Sequence, residues 1–142
     1  MLVFTYGTLM QGFSNHRVME QAQGKFVGRA KMYGKAMYYA GGHGSFPAVI
    51  DGKDTIYGEV FDVPENVDRR DWNGQMIRVK AVTILDGLEG YNPNAPAKHN
   101  MYLRKKAKVI LEDGKKVWVS YYYWNRQVSA SLHIPSGDFK KK

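Results

Sequence analysis

Two short stretches hold the residue types that acid–base chemistry on a small molecule requires. The first is Leu85-Asp86-Gly87-Leu88-Glu89-Gly90-Tyr91, where a carboxylate closes an apolar segment and an aromatic follows two residues on. Partial desolvation raises the pKa of such a carboxylate and makes it a better base at neutral pH. Asp86 stands three residues before Glu89, so on a helix the two acids share a face. From this pattern alone, an exposed acid at a helix end is the favoured reading of Glu89. The second stretch is Leu2-Val3-Phe4-Thr5-Tyr6-Gly7-Thr8-Leu9, an apolar β-prone run that breaks at a glycine. A strand followed by a tight turn leaves several backbone N–H groups facing one point, and their dipoles sum there in favour of a carboxylate or another anionic oxygen. Gly7 is required if that turn needs positive φ or if a ligand touches the backbone.

Other chemistries find little support. The chain has no cysteine, which removes thiolate nucleophiles, disulfides and Cys-based zinc sites and fits a reducing, cytoplasmic compartment. His16, His43, His99 and His133 are scattered without metal-ligand spacing, so no metal is expected. His16, in the first turn of a helix, is expected to hydrogen-bond the preceding loop rather than to act in catalysis. No Gly-x-Ser-x-Gly elbow occurs, and Gly41-Gly42-His43-Gly44-Ser45 lacks the spacing of a nucleotide loop.

The 142 residues suit one domain, 1–142, with a single core. No apolar run approaches the ~20 residues that cross a bilayer, and no secretion signal opens the chain. The net charge of +8 suits anionic small molecules, nucleic acid or plain solubility. Basic residues concentrate in a hairpin predicted over Tyr102 to Trp124, with Asp113-Gly114 as a type I′ turn. Lysines there protect a sheet edge from aggregation, and this is preferred to nucleic-acid binding because no known module accompanies them.

The elements that must position the two stretches read as follows. Leu2 to Tyr6 is a strand buried on both faces, and Asn15 to Gln23 is a helix with Val18, Met19 and Ala22 inward and Ser14 or Asn15 as its cap. Lys25 to Tyr39 reads as two short strands around Gly34, and Phe46 to Ile50 and Ile56 to Val63 as two more, separated by an Asp51-Gly52 turn. Glu59 lies on the strand face of Tyr57 and Phe61, either as a site residue or as an outward polar one. Pro64 to Gln75 is a polar surface excursion and a candidate lid. Met76 to Leu88 mixes strand and helix signals, with a short helix ending near Glu89 preferred.

Phe4-Thr5-Tyr6-Gly7-Thr8-Leu9, Phe46-Pro47-Ala48, Tyr57-Gly58-Glu59-Val60-Phe61, Leu85 to Tyr91, Tyr122 and Ser136-Gly137-Asp138-Phe139 resemble, in this order, the γ-glutamylcyclotransferase-like family. With Asn15-His16-Arg17-Val18, the chain looks most like its γ-glutamylamine cyclotransferase branch, although Pro64 to Met76 is longer than usual there. The resemblance implies an α+β fold, a small and mainly antiparallel β-barrel with helices packed outside. It also implies a cofactor-free conversion of a γ-glutamyl amine or γ-glutamyl amino acid to 5-oxoproline and a free amine. Glu89 would be the general acid/base, the backbone of Gly7, Thr8 and Leu9 would hold substrate, and Tyr6 and Tyr122 would wall the pocket and hydrogen-bond the substrate. The partner expected is thus a small γ-glutamyl compound, with neither nucleic acid nor membrane. The alternative is a non-catalytic protein of the same fold that binds an anionic metabolite.

Overall fold

The structure is a computed structural model that describes residues 1–40 and 46–141. Its strands are β1 (Leu2–Thr5), β2 (Lys25–Ala40), β3 (Phe46–Asp62), β4 (Asn66–Arg70), β5 (Met76–Lys80), β6 (Tyr102–Leu111), β7 (Lys116–Trp124) and β8 (His133–Ile134), with helices α1 (His16–Gln21) and α2 (Ala81–Glu89). Five strands follow one another as β3-β1-β7-β6-β2, and pairing of β2 with β3 closes them into a barrel, to which β8 adds at β2. β1 runs parallel to β7 and the other neighbours are antiparallel, so the barrel is mixed but mainly antiparallel.

Alternation along β1 explains why every residue there is apolar or small. Phe4 faces the barrel interior with Met32, Ile56, Val60 and Tyr121. Val3 belongs to a second cluster outside the barrel wall, with Val18, Met19 and Ala22 of the α1 region and Ala81 and Leu85 of α2. Both faces of β1 are therefore dry, and each fully buried Phe, Val or Leu contributes about 1.5–3 kcal/mol.

Several boundaries differ from the sequence reading. Lys25–Ala40 and Phe46–Asp62 are each one long strand, because Gly34, at φ 76°, and the irregular pairing of Lys35 with Asp51 and Asp54 bend the ladder without ending it. Gly41 to Ser45, expected as a loop, lie outside the described residues. The excursion after Pro64 is a two-stranded hairpin, β4–β5, and none of its residues lines the site cavity described below, so the expected lid is not seen. The mixed signals after Met76 resolve into strand β5 running straight into helix α2. The turn at Asp113-Gly114 is not type I′. Gly114 has φ 89° but Asp113 has no positive φ, and the Gly114 N–H donates to the Leu111 carbonyl at 2.9 Å, so a type I turn is followed by a glycine bulge.

Since α2 is seated through Leu85, Leu85→Ala should cost about 2–5 kcal/mol in denaturant unfolding. Leu88→Ala, in the same helix but 39% exposed, should cost less than about 1 kcal/mol.

Candidate active site

Glu89 is the last residue of α2, and the sequence after it fixes that position. Gly90 adopts φ 67°, the Tyr91 N–H donates to the Asp86 carbonyl at 2.9 Å and the Gly90 N–H to the Gly87 carbonyl at 3.4 Å. This pair of bonds is a Schellman cap, which needs the left-handed conformation that glycine adopts at no steric cost. The helix thus ends at Glu89, which lines a cavity of about 410 Å³.

The same cavity is lined by Tyr6, Gly7, Thr8, Leu9 and Tyr122, so all the residues expected from the sequence meet in one place. The loop after β1 is fastened by its carbonyls. Those of Gly7, Thr8 and Leu9 accept from the Met10 N–H (3.1 Å), the Asn15 N–H (3.2 Å) and His16 Nδ1 (2.9 Å). A carbonyl only accepts, so His16 carries its proton on Nδ1, and it bonds the loop as its position in α1 led one to expect. Asn15 adds a bond from Nδ2 to Thr8 Oγ1 at 3.0 Å and makes no side-chain bond to cap the helix. With the carbonyls committed, the N–H groups of Gly7, Thr8 and Leu9 have no acceptor among the described residues. Gly7 does not have positive φ; a Cβ there would lie 2.5 Å from Pro47 Cγ, so glycine lets the loop pack on Pro47.

Two carboxylates at the end of α2 have different surroundings. Asp86 is buried, accepts the Tyr122 hydroxyl at 2.6 Å and pairs with Arg104 at 3.1 Å. Glu89 is partly buried and has no hydrogen-bond or ion-pair partner among the described residues. Burial, with the neighbouring Asp86 charge, pushes Glu89 from its ordinary 4.5 up to about 7, and the negative end of the α2 dipole acts in the same direction. Burial also raises Tyr6, Tyr102 and Tyr122 above the usual phenol range, so these hydroxyls stay protonated.

The tyrosines spend their protons within the protein. Tyr6 donates to the Tyr122 carbonyl at 2.6 Å, Tyr122 to Asp86, and Tyr102 to the Pro47 carbonyl at 2.8 Å. Tyr6 and Tyr122 therefore wall the cavity with their hydroxyl protons engaged within the protein, which leaves their oxygens as acceptors. Tyr102 also lines the cavity and was not singled out in the sequence. The available signal was its register partner Trp124, which it meets edge-on at 5.0 Å in an aromatic hairpin end. No group of three or more metal-ligating side chains occurs among the described residues, and no helix among them is long and apolar enough to cross a membrane.

Residues 3–141 match the family described as γ-glutamyl cyclotransferase, AIG2-like. The chain belongs to this family. A protein of Methanocaldococcus jannaschii, provisionally named a γ-glutamylcyclotransferase, is 30% identical over 140 residues, 97% of this chain and 94% of its own. The crystal structure of an AIG2-like protein from Mus musculus superposes with a TM-score of 0.67 at 25% identity, covering 92% of this chain and 80% of that one. An uncharacterised Pyrococcus horikoshii protein shares the fold, with a TM-score of 0.62 at 19% identity over 99% of this chain and 91% of its own. The small barrel with flanking helices expected from the sequence is the fold of this γ-glutamyl cyclotransferase family, a family of cyclotransferase-type enzymes.

The folded protein binds the Glu89 proton more tightly than the unfolded chain does, so ionising Glu89 costs stability. That cost is absent below pH 4.5, grows as pH rises toward about 7 and is complete above it. Glu89→Gln removes it, and thermal unfolding should find the variant more stable than wild type by ~1–3 kcal/mol at alkaline pH and equal to it in acid.

Proposed function

We propose that this protein closes γ-glutamyl amines into 5-oxoproline and releases the free amine, with Glu89 as general acid/base. The observation that carries the reading is a partly desolvated, unpartnered carboxylate on the same cavity as three N–H groups without acceptors. The loop N–H groups receive the substrate α-carboxylate or the oxyanion that develops on the γ-carbonyl. Glu89, with a proton affinity near neutrality, takes a proton from the substrate α-ammonium group. The freed nitrogen attacks the γ-carbonyl carbon. As the tetrahedral adduct collapses and the old amide C–N bond breaks, Glu89 relays this proton and then a second one from the ring nitrogen to the departing nitrogen, so the products are the neutral lactam and the amine as its ammonium ion. No water is consumed, and ring closure is unimolecular once the substrate is folded into a near-attack geometry.

An amine suits this cavity better than an amino acid as the leaving group. Glu89 is the one charged side chain among the described lining residues, and Phe46, Pro47, Leu88 and Met101 add apolar wall. The three N–H groups serve a single carboxylate. A second carboxylate, on a departing amino acid, would be desolvated with no cation to meet it, which is costly.

Purified protein incubated with γ-glutamyl amines should yield 5-oxoproline by mass spectrometry, and kcat/KM should rise with pH through about 7 as Glu89 ionises. Glu89→Gln should lower kcat by about 10²–10⁴-fold. Activity undiminished in that variant would remove Glu89 from the chemistry.

A further inference from the structure

Glu59 is 2% exposed, yet the reaction above leaves it without a part. It pairs in register with Thr5, at the end of β1 where the substrate loop begins. Its Oε1 accepts the Gln11 N–H at 2.7 Å, and its Oε2 accepts Lys140 Nζ at 3.1 Å. Gln11 directly follows Met10, whose N–H closes the turn onto the Gly7 carbonyl at 3.1 Å. One buried carboxylate on β3 thus joins the far end of the loop to a segment more than a hundred residues later.

That later segment is itself firmly seated. The Gly137 carbonyl accepts the Tyr57 N–H at 2.8 Å. Phe139 is 2% exposed and meets Phe13 with ring centroids 5.6 Å apart, while the Phe13 N–H donates to the Met10 carbonyl at 3.2 Å. Two separate contacts, ionic through Lys140 and aromatic through Phe139, therefore bear on the loop from Gly7 to Phe13. A buried carboxylate without a counter-charge is costly, so the Lys140 ammonium offsets the burial of Glu59 while its other oxygen holds the Gln11 N–H.

We propose that Glu59, paired with Lys140, is a positioning residue for the loop Gly7 to Gln11, and that the segment Gly137 to Lys140 braces the substrate site from behind. It rests on the reading of that loop as the holder of the substrate carboxylate. Glu59 touches no reacting atom. It fixes the far end of the turn whose N–H groups are unspent, and a displacement of about 1 Å in such groups can cost as much as ~10²-fold in kcat/KM, here through weaker substrate binding.

Lys140→Met tests this in the full chain, since the Lys140 side chain is 37% exposed and its replacement leaves the barrel core untouched. The expected result is a KM for a γ-glutamyl amine raised about tenfold, an unchanged kcat limb near pH 7, and faster hydrogen exchange at the loop amides Gly7 to Gln11 but not in the barrel strands. Glu59→Gln, which keeps an acceptor for Gln11 but loses the ion pair, should behave alike, and Lys140→Arg should restore wild-type KM. Wild-type KM and exchange in Lys140→Met would overturn the proposal, even if the melting temperature fell. If the wild-type protein forms no 5-oxoproline, the functional reading fails, while loop exchange in Lys140→Met still decides whether the brace exists.

Discussion

The hydrogen bond from the Tyr122 hydroxyl to Asp86, 2.6 Å long and buried, decides where everything else at the site stands. It ties the last turn of α2 to the barrel strand β7, and Arg104 of β6 closes on the same carboxylate. A buried carboxylate is tolerable only when paired and hydrogen-bonded in this way. Once Asp86 is so engaged, Glu89, one helical turn later, is brought to the cavity. The Tyr122 carbonyl meanwhile accepts the Tyr6 hydroxyl, so the same strand also fixes the residue before the Gly7 loop. Two distant segments are thereby held against one wall.

Two acids three residues apart have separate tasks because their surroundings differ. Asp86 has a guanidinium and a phenol as partners, and its role is to hold structure. Glu89 has neither, and burial together with the nearby Asp86 charge leaves it able to gain and lose a proton near neutrality. Separation of paired carboxylates by environment is a general way to obtain one ionised anchor and one titrating group at a single site. The loop opposite follows a similar economy. Its carbonyls accept from Met10, Asn15 and His16, and what remains without a partner among the described residues is a set of N–H donors.

Much of this was legible in the residues. The unbroken apolar run of β1 fits a strand with protein on both sides, and the periodicity of Val18, Met19 and Ala22 marks the buried stripe of α1. The residues Leu88-Glu89-Gly90-Tyr91 specify a helix stop, since glycine there releases the chain into the left-handed region. Glu59 was ambiguous because period-two alternation places it with Tyr57 and Phe61, of which the first is exposed and the second buried. The alternation is local, whereas the cover over Glu59 comes from the segment around Lys140. The two long strands were read as four because a glycine and a turn dipeptide look like breaks until a continuous partner strand carries the ladder past them.

By itself, then, the sequence determined which segments are dry and where α2 ends. These follow from short-range physics, namely side-chain periodicity, φ preference and helix capping. Only the tertiary structure decided that Glu89 shares a cavity with Gly7, that Asp86 rather than Glu89 takes the cation, and that the tyrosine hydroxyls are engaged within the protein. Those outcomes depend on barrel closure, which brings β1, β6 and β7 together across large sequence separations. Burial and pairing of charge are properties of that assembled space, and no local pattern encodes them.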